Sequence, residues 1–324
     1  MIKTPLSTVI GGAFWTPSAT ILGGTSKTFD QLIQSLFANN EQGFAYDPND
    51  LTTLYQDAAG TIPVTGAGQP VGLVLDKSKG LTLGSEAIVG GNFENGLIGV
   101  VTDGNGSVSE WKLNTVNPIS GTQDGKLTVS TPGSFRPILM LPSVSKRLGA
   151  VYEFSFDYKV LDGNPTIPLV FNGSGTHAVG KTLTGSGRMV LKYVATGSGA
   201  SDGVYFSASS PYTLQIDNIS VREIQGNHAY QSTSSMRPLL VASPQRIDFD
   251  TVDDKLITNL PAQLTGCTVI RAVPNVGTQI LTNQTIPTPY NDNTDHCGLI
   301  VINRALTPNE TSVITAEFNK RAGV

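Results

Sequence analysis

Charged side chains are scarce in this sequence. Lys, Arg, Asp and Glu make up 14% of its 324 residues, and the formal net charge is −4. A surface that binds nucleic acid needs clustered Lys and Arg side chains to neutralise phosphates, and no such cluster occurs in the sequence. We therefore expect no nucleic-acid partner.

Long hydrophobic runs are also missing. No stretch approaches the roughly 18 consecutive apolar residues that suggest a membrane-spanning helix. The N-terminal residues MIKTPLSTVIGGAFWTP contain one Lys and an interrupted apolar run, which matches a signal peptide poorly. We expect no membrane insertion, and assembly in the cytoplasm of the cell that makes the protein.

Cysteine and histidine are rare, with two Cys and three His residues. Cys267 and Cys297 lie in apolar stretches, which favours two buried thiols; a disulfide would require adjacent strands and an oxidising compartment. His177, His228 and His296 lack the paired spacing of a zinc site. Since His296 and Cys297 are sequence neighbours, a strand would point them to opposite faces.

No catalytic motif emerges from the remaining sequence. The one literal phosphate-loop match, GTHAVGKT at 175–182, is followed by LTGSGRM rather than by a helix. A phosphate loop requires that helix, because its N-terminal N–H groups hold the phosphate. We therefore predict a hairpin loop at 175–182 and a protein that is not an enzyme.

Abundant turn residues and period-two patterns are what the sequence does contain. It has 35 Gly and 19 Pro, and VYEFSFDYKV at 151–160 alternates large apolar with polar residues. That alternation predicts a half-buried strand, and similar short strands recur between about 88 and 224. The fold class is therefore mainly β, with a two-sheet sandwich or jelly roll in this central region.

Two helices are predicted outside the sandwich. The first starts at Thr28, with Gln31 completing a capping box, and its apolar stripe is Phe29, Leu32, Ile33, Leu36 and Phe37. The second is predicted from a Thr307 cap, Pro308 at the first helical position, Glu310 in the capping box and a stop at Gly323, with Val313, Ile314 and Phe318 facing inward.

The first 27 residues are rich in Gly, Ser, Thr and Pro and lack periodicity. They predict an extended arm that becomes ordered only by packing against a partner. Together with the first helix they form a predicted arm and docking segment at 1–43.

Several further stretches carry a resemblance. GFAYDPNDLTTLYQDAAGTIPVTGAGQPVGLVLDKS, GNHAYQ, RPLL, IDFDTVDDKL and CGLIVINRALTPNETSVITAEFNKRAGV resemble pieces of the laminin-G-like (concanavalin-type) modules of bacteriophage structural and tail proteins. LDKSKG reads as a charged, flexible turn at the end of a strand. Joining that turn to GNHAYQ implies a split module at 44–80 plus 226–324, with a jelly roll inserted at 81–225.

The module is abbreviated. Only about 40 residues separate FDTVDD from CGLIVINRAL, too few for a complete lectin-like sandwich. The fold implied is thus a jelly roll inserted into a small lectin-like β module, with much of the sugar-binding face of that module missing.

The resemblance implies a bacteriophage virion protein, at the tail tip or baseplate, that contributes to host attachment and can bind host surface polysaccharide. The alternative is a capsid decoration or head-fibre protein that makes only protein–protein contacts. Either way the location is the virion, the partners are other virion proteins, and a homo-oligomer, most often a trimer, is expected.

The inserted region resembles carbohydrate-binding-module jelly rolls, which open with a motif like GGNFENG and close with one like IDNISV. The resemblance implies a structural calcium ion held by Asn92, Glu94 and Asp217, and the alternative is that the two carboxylates only form turns. It also implies a ligand-binding role for Trp111, against the alternative of a core or rim residue.

Overall fold

The structure is a computed structural model that describes residues 28–96, 109–133, 137–141, 146–172, 176–195 and 202–324. The predicted arm at 1–27 lies outside the described residues. The two helices of the described chain are α1 (Phe29–Leu36) and α2 (Pro308–Ala322). Neither of these two is long and apolar enough to cross a membrane.

Strands dominate the rest of the described chain, which confirms the predicted mainly β fold. In chain order they are β1 (Gly43–Tyr46), β2 (Leu54–Tyr55), β3 (Leu73–Val74), β4 (Leu83–Glu86), β5 (Ser109–Asn114), β6 (Asp124–Val129), β7 (Ile138–Leu141), β8 (Val151–Gly163), β9 (Thr166–Asn172), β10 (Thr176–Thr182), β11 (Ser186–Val194), β12 (Asp202–Tyr205), β13 (Tyr212–Ile224), β14 (Ala229–Tyr230), β15 (Leu239–Val241), β16 (Arg246–Asp248), β17 (Leu256–Thr258), β18 (Leu264–Val273), β19 (Gly277–Ile286), β20 (Tyr290–Asp292) and β21 (Leu299–Ile302).

Strands β4 to β13 form the sandwich lobe, which comprises the described residues between 81 and 225. One sheet has the order β11-β8-β13-β6-β5, with β4 also paired to β13, and the other has the order β10-β9-β12-β7. The alternating residues of β8 behave as predicted, because Tyr152, Phe154 and Phe156 are buried in the core between the sheets. Residues 176–182 form β10, paired with β9, so the prediction of a loop at 175–182 was wrong for its described part.

The helix-bearing lobe comprises residues 28–80 and 226–324. Its central sheet has the order β1-β21-β18-β19, and strands β1 and β21 are buried on both faces. Along β21, Leu299 and Val301 face a second sheet of order β2-β3-β14-β17-β20, whereas Ile300 and Ile302 face the two helices. This double burial explains why β21 reads as a continuous apolar run rather than an alternating one.

Both helices are capped as predicted. Thr28 and Gln31 form a capping box on α1, Thr307 and Glu310 form one on α2, and Gly323 ends α2 in the left-handed conformation. All five predicted apolar residues of the α1 stripe are buried.

One residue of the α2 prediction was wrong. Ile314, Phe318 and Ala322 are buried at a spacing of four residues, whereas Val313 is 40% exposed. The helix rests on the sheet through that narrow stripe, and Val313 lies beside the stripe.

The two cysteines are buried and unpaired, as the sequence favoured. Cys267 belongs to the core between the two sheets of the helix-bearing lobe, and Cys297 belongs to the core beneath the helices. The central sheet therefore separates them.

The charged segment after β3 is not the flexible turn that its composition predicted. Asp76, Lys77 and Ser78 are all buried. The Asp76 carboxylate accepts four hydrogen bonds, from Ala45 N (2.8 Å), Ser78 N (2.8 Å), Ser78 Oγ (2.8 Å) and Asn227 N (2.7 Å). A single side chain thereby joins β1, the end of β3 and the start of residues 227–230.

His228 completes this junction from the other side. Its Nδ1 accepts a hydrogen bond from the Asp76 backbone N–H at 2.9 Å, and its Nε2 donates to Ile224 O at 2.9 Å. Burial lowers the pKa of His228 to about 4, so the ring is neutral at pH 7 and keeps the lone pair that this geometry requires. Burial also raises the pKa of Asp76 to about 6, against the four hydrogen-bond donors, which favour its ionised form.

The two lobes meet over an apolar contact. Leu73 and Leu75 of the helix-bearing lobe pack against Val151, Val194 and Ile224 of the sandwich lobe. Val151 is the first residue of β8, and it pairs in register with Val194 of β11 and with Ile224 of β13. The three residues therefore lie at the same end of these strands. One end of the larger sheet therefore rests on the helix-bearing lobe.

We predict that Asp76→Asn destabilises the protein by about 1–3 kcal/mol in urea unfolding at pH 7. The substitution puts an NH₂ group where the carboxylate accepts hydrogen bonds, which leaves at least one buried backbone N–H unpaired. Asp250→Asn is the matched control, because Asp250 accepts three backbone N–H groups, from Val252, Asp253 and Asp254, in an exposed turn. Water replaces lost bonds there, so equal effects of the two variants would contradict the role of burial.

The division of the chain into an inserted and a split module remains a prediction, and excision tests it. We expect a chain that joins Gly80 directly to Gly226 to fold, because Thr82 O already accepts a 2.8 Å hydrogen bond from Gln225 N. Circular dichroism and proteolysis should report a folded but less soluble protein, since Leu73 and Leu75 lose their cover. A deletion of equal length at 71–215 removes Asp76 and should not fold; similar behaviour of both deletions would count against the division.

Candidate functional site

The residues predicted to hold calcium lie around one loop of the sandwich lobe. Asp217 is on β13 and is fully buried, Glu94 is partly exposed in the segment after β4, and Asn92 is exposed. The opening and closing segments are adjacent, because Ile219 N donates a 2.8 Å hydrogen bond to Gly91 O. The structure thus brings both predicted carboxylates to the same region.

Residues 115–123, between β5 and β6, form the loop that both carboxylates contact. Asp217 Oδ2 accepts hydrogen bonds from Ser120 N at 3.1 Å and from Ser120 Oγ at 2.6 Å. Glu94 Oε1 accepts one from Thr122 N at 2.8 Å, and Glu94 Oε2 accepts a short one from Thr122 Oγ1. The two acids therefore hold neighbouring residues of one loop.

Gly121 lies between those two anchor points, with φ at +59°. A Cβ atom at this position would lie 2.0 Å from Glu94 Oε1. The left-handed backbone conformation favours glycine here, and a larger residue would have to displace the Glu94 carboxylate from this loop.

A third acid, Asp124, was missed by sequence analysis. It is fully buried at the start of β6, where its carboxylate accepts hydrogen bonds from Asn114 Nδ2 at 2.7 Å and Ile119 N at 2.9 Å. Burial raises the pKa of Asp217, the Ser120 bonds oppose that change, and the charge of Asp124 adds to it. Only the pairing of β6 with β13 places these two acids together, so nothing local in the sequence identifies Asp124.

The chemistry of this loop fits a hard cation. Carboxylate and hydroxyl oxygens are the ligands that calcium prefers, and burying two acids near each other favours a positive partner. However, both oxygens of each carboxylate already accept protein hydrogen bonds. Calcium would replace some of these donors, and its binding by Asn92, Glu94 and Asp217 remains a prediction.

Trp111 lies in the core of the sandwich lobe. Its side chain is 6% exposed, and its ring meets Phe206 edge-on at 6.0 Å between ring centroids. Its Nε1 is buried and has no hydrogen-bond partner in the described part of the chain. The indole face is therefore not presented as an open platform for a sugar, which is the position expected under the core alternative.

The His–Cys pair does not form a nucleophilic site. Cys297 packs beneath the helices, whereas His296 Nε2 hydrogen-bonds Asp292 Oδ2 at 2.9 Å on the other side. Burial raises the pKa of the Cys297 thiol to about 11, which keeps it protonated and poorly reactive.

Comparisons with known proteins give structural likenesses only. No protein-family model matches the sequence, and no curated protein matches it. Among solved structures, the CBM22-1 xylan-binding domain of Paenibacillus barcinonensis Xyn10C is 15% identical, with a TM-score of 0.33, covering 40% of this chain and 87% of that one. The CBM22-1-CBM22-2 tandem domain of the same enzyme is 12% identical, with a TM-score of 0.36, covering 76% of this chain and 96% of that one.

A third solved structure, TmCBM61 in complex with β-1,4-galactotriose, is 17% identical, with a TM-score of 0.34, covering 43% of this chain and 98% of that one. All three neighbours are carbohydrate-binding modules. Because the identities and TM-scores are low, what those modules bind is not transferred to this chain. None of the three is described as a phage protein or a laminin-G-like module, so both of those assignments stay proposals.

We predict that calcium stabilises the full chain and that chelation by EDTA removes the effect. At a hundredfold excess over Kd, an ion that binds only the folded form adds about 2.7 kcal/mol. For a domain of the size of the sandwich lobe, this free energy corresponds to a rise in Tm on the order of 4–10 °C, which calorimetry measures.

Two variants separate a calcium site from a loop anchor. Asp217→Ala should abolish the calcium response. Ser120→Ala removes the two hydrogen bonds of the Ser120 hydroxyl, to Asp217 Oδ2 and from Asn218 Nδ2, but keeps the carboxylate, so the response should survive. If chelation changes nothing and Asp217→Ala lowers Tm equally with and without calcium, Asp217 only anchors the loop.

Proposed function

We propose that this chain is a bacteriophage virion structural protein, an appendage at the tail tip or baseplate that contributes to host attachment. The proposal starts from the resemblance of LDKS and GNHAYQ to pieces of phage tail modules. In support, Asp76 and Asn227 lie 151 residues apart in the sequence and are joined by a 2.7 Å hydrogen bond. The resembling pieces thus come together in one lobe.

The single observation that carries the attachment role is the direction of the long strands. β8 and β13 each contain 13 residues, and their shared end at Val151 and Ile224 packs on the helix-bearing lobe. At about 3.3 Å per residue, such strands extend roughly 40 Å. The far end of the larger sheet is therefore held well away from the helix-bearing lobe.

Each lobe has a part in this proposal. Residues 1–27, the predicted arm, directly precede α1 in the sequence and would dock the helix-bearing lobe to other virion proteins, in a homo-oligomer that we propose is a trimer. The sandwich lobe would project toward the host surface, where it would contact polysaccharide.

Polysaccharide binding, as proposed here, would use hydrogen bonds more than stacking. Among the residues whose side chains the structure describes, the exposed large hydrophobic residues are all aliphatic. The outer face of the larger sheet instead carries polar groups such as Arg188, which donates to Asp157 Oδ1 and Ser155 Oγ at 2.8 Å each.

A capsid decoration or head-fibre protein is the second candidate. The lack of exposed aromatic rings among those described side chains favours it, because aromatic platforms are the usual means by which proteins stack on sugar rings. In that case the sandwich lobe makes only protein–protein contacts.

Two measurements distinguish the candidates. We expect gold-labelled antibodies against this chain to mark the tail tip in electron micrographs, and the purified chain to reduce phage adsorption to host cells several-fold. Labelling of the head, with no effect on adsorption, would replace the first candidate by the second. Labelling of neither structure would refute the virion assignment.

A further inference from the structure

We propose that residues 18–22, which lie outside the described part of the chain, add a strand to the outer edge of β19. The edge itself lies within the described residues. β19 is the last strand of the central sheet, and in the part of the chain that the structure describes no strand pairs with it on the side away from β18. This inference does not depend on the virion assignment.

The outer edge of β19 has unused backbone groups. Thr278 N donates a 2.8 Å hydrogen bond to Asn319 Oδ1 of α2, so the backbone groups of Thr278 point away from β18. Alternate residues of an antiparallel strand share this direction. Ile280 therefore presents its N–H and C=O to the outside, where no described residue bonds them. A row of such groups is suited to one kind of partner, an extended backbone.

The opposite edge of the same sheet, β1, is closed. Ala45 N donates to Asp76 Oδ1 at 2.8 Å, and Ala45 O accepts from Lys77 N at 2.9 Å. Gly43 O accepts from Asn227 Nδ2 at 2.8 Å. Side chains and a turn thus bond the outward groups of β1, whereas nothing in the described residues does the same for Ile280.

β19 also lacks the charges that discourage edge pairing. The other edge strands of six or more residues, β5, β10 and β11, each contain Lys or Arg. β19 contains no charged residue and no proline. Its regular part is the six residues 277–282, before Asn283 interrupts the pairing with β18. Leu281 in this part is 41% exposed, and an added strand would give it an apolar neighbour.

Although residues 1–27 lack the short-range periodicity of a helix or a long strand, they contain one motif twice. TPLSTVIGG at 4–12 and TPSATILGG at 16–24 are identical at five of nine positions. In each copy five uncharged residues, 6–10 or 18–22, lie between a Pro and a Gly-Gly pair. Stretches with Thr, Val and Ile between such turn residues are typical of short strands. Each copy therefore nearly matches the regular part of β19 in length.

The position of α1 favours the second copy of the motif. Only six residues, 23–28, separate it from Phe29, whose ring lies 5.7 Å from the ring of Phe318 on α2. The next residue of α2, Asn319, is the one that bonds Thr278 at the start of β19. Six residues span up to about 20 Å, roughly twice the width of a helix. The first copy would need a loop about three times as long, whose closure costs more entropy.

This position also sets the direction of the added strand. β19 begins near the start of α1 and runs away from it, whereas residues 18–22 lead toward α1. The two strands are therefore antiparallel, as β19 and β18 are. Residues 1–17, which include the first copy of the motif, are left for the docking role proposed above.

Hydrogen exchange measured by NMR on the purified full chain tests the added strand. We expect the Ile280 amide to exchange about tenfold or more slowly than an unprotected amide, because a paired strand must open before exchange. The rate should not change on dilution, since the strand comes from the same chain. The Thr278 amide is the internal reference, because it bonds Asn319 whether or not the added strand is present.

Two matched double substitutions identify the segment. Adjacent residues of a strand point their N–H groups to opposite sides, so Thr20→Pro with Ile21→Pro removes an inward N–H in either register. This variant should make the Ile280 amide exchange about tenfold faster and leave the reference amide protected. Thr8→Pro with Val9→Pro makes the same change at the equivalent positions of the first copy and should have no effect.

Free exchange of the Ile280 amide in the unaltered chain would refute the added strand. Protection that is lost on dilution would assign the strand to a second copy of the chain. Protection that survives the substitutions at Thr20 and Ile21, or that is lost with those at Thr8 and Val9, would assign it to another segment. Each of these results overturns the proposal, and none bears on where antibodies label the virion.

Discussion

The buried carboxylate of Asp76 is the interaction on which the arrangement of the chain depends. It accepts hydrogen bonds from Ala45, Ser78 and Asn227, which belong to three separate segments. A buried charge without such donors would be costly, and each donor without the carboxylate would be a buried unpaired N–H or O–H group. The cost is therefore avoided only when all three segments assemble together.

Charge pairing extends outward from this junction. Lys77 Nζ lies 2.5 Å from Asp30 Oδ1 on α1 and 2.6 Å from Asp50 Oδ2, and these contacts attach the first helix to the same turn. Burial alone would lower the pKa of Lys77, but the neighbouring carboxylates outweigh it and raise the pKa above its ordinary value. Consecutive residues of one turn thus hold a helix, a strand and the returning chain.

Carboxylates also hold separate segments together at loop 115–123 of the sandwich lobe. There Glu94 accepts a hydrogen bond from Thr122, and Asp217 accepts one from Ser120. In both places, short polar segments link elements that hydrophobic burial alone would not orient. Two of the residues predicted to hold calcium, Glu94 and Asp217, are the ones that form the second of these links.

The sequence by itself determined the features that depend on local chemistry. The caps at Thr28 and Thr307 follow from side chains that reach backbone N–H groups three residues away, and the alternation of β8 follows from the geometry of a single strand. Only the tertiary structure decided the rest. The sequence around Asp76 predicts a flexible turn, but Asp76 is buried and bonded to Asn227. Asp124 lies near Asp217 only because β6 pairs with β13. Val313 is exposed because α2 contacts the sheet through a narrow stripe. Burial and long-range hydrogen bonds depend on residues far apart in the chain, so no local pattern records them.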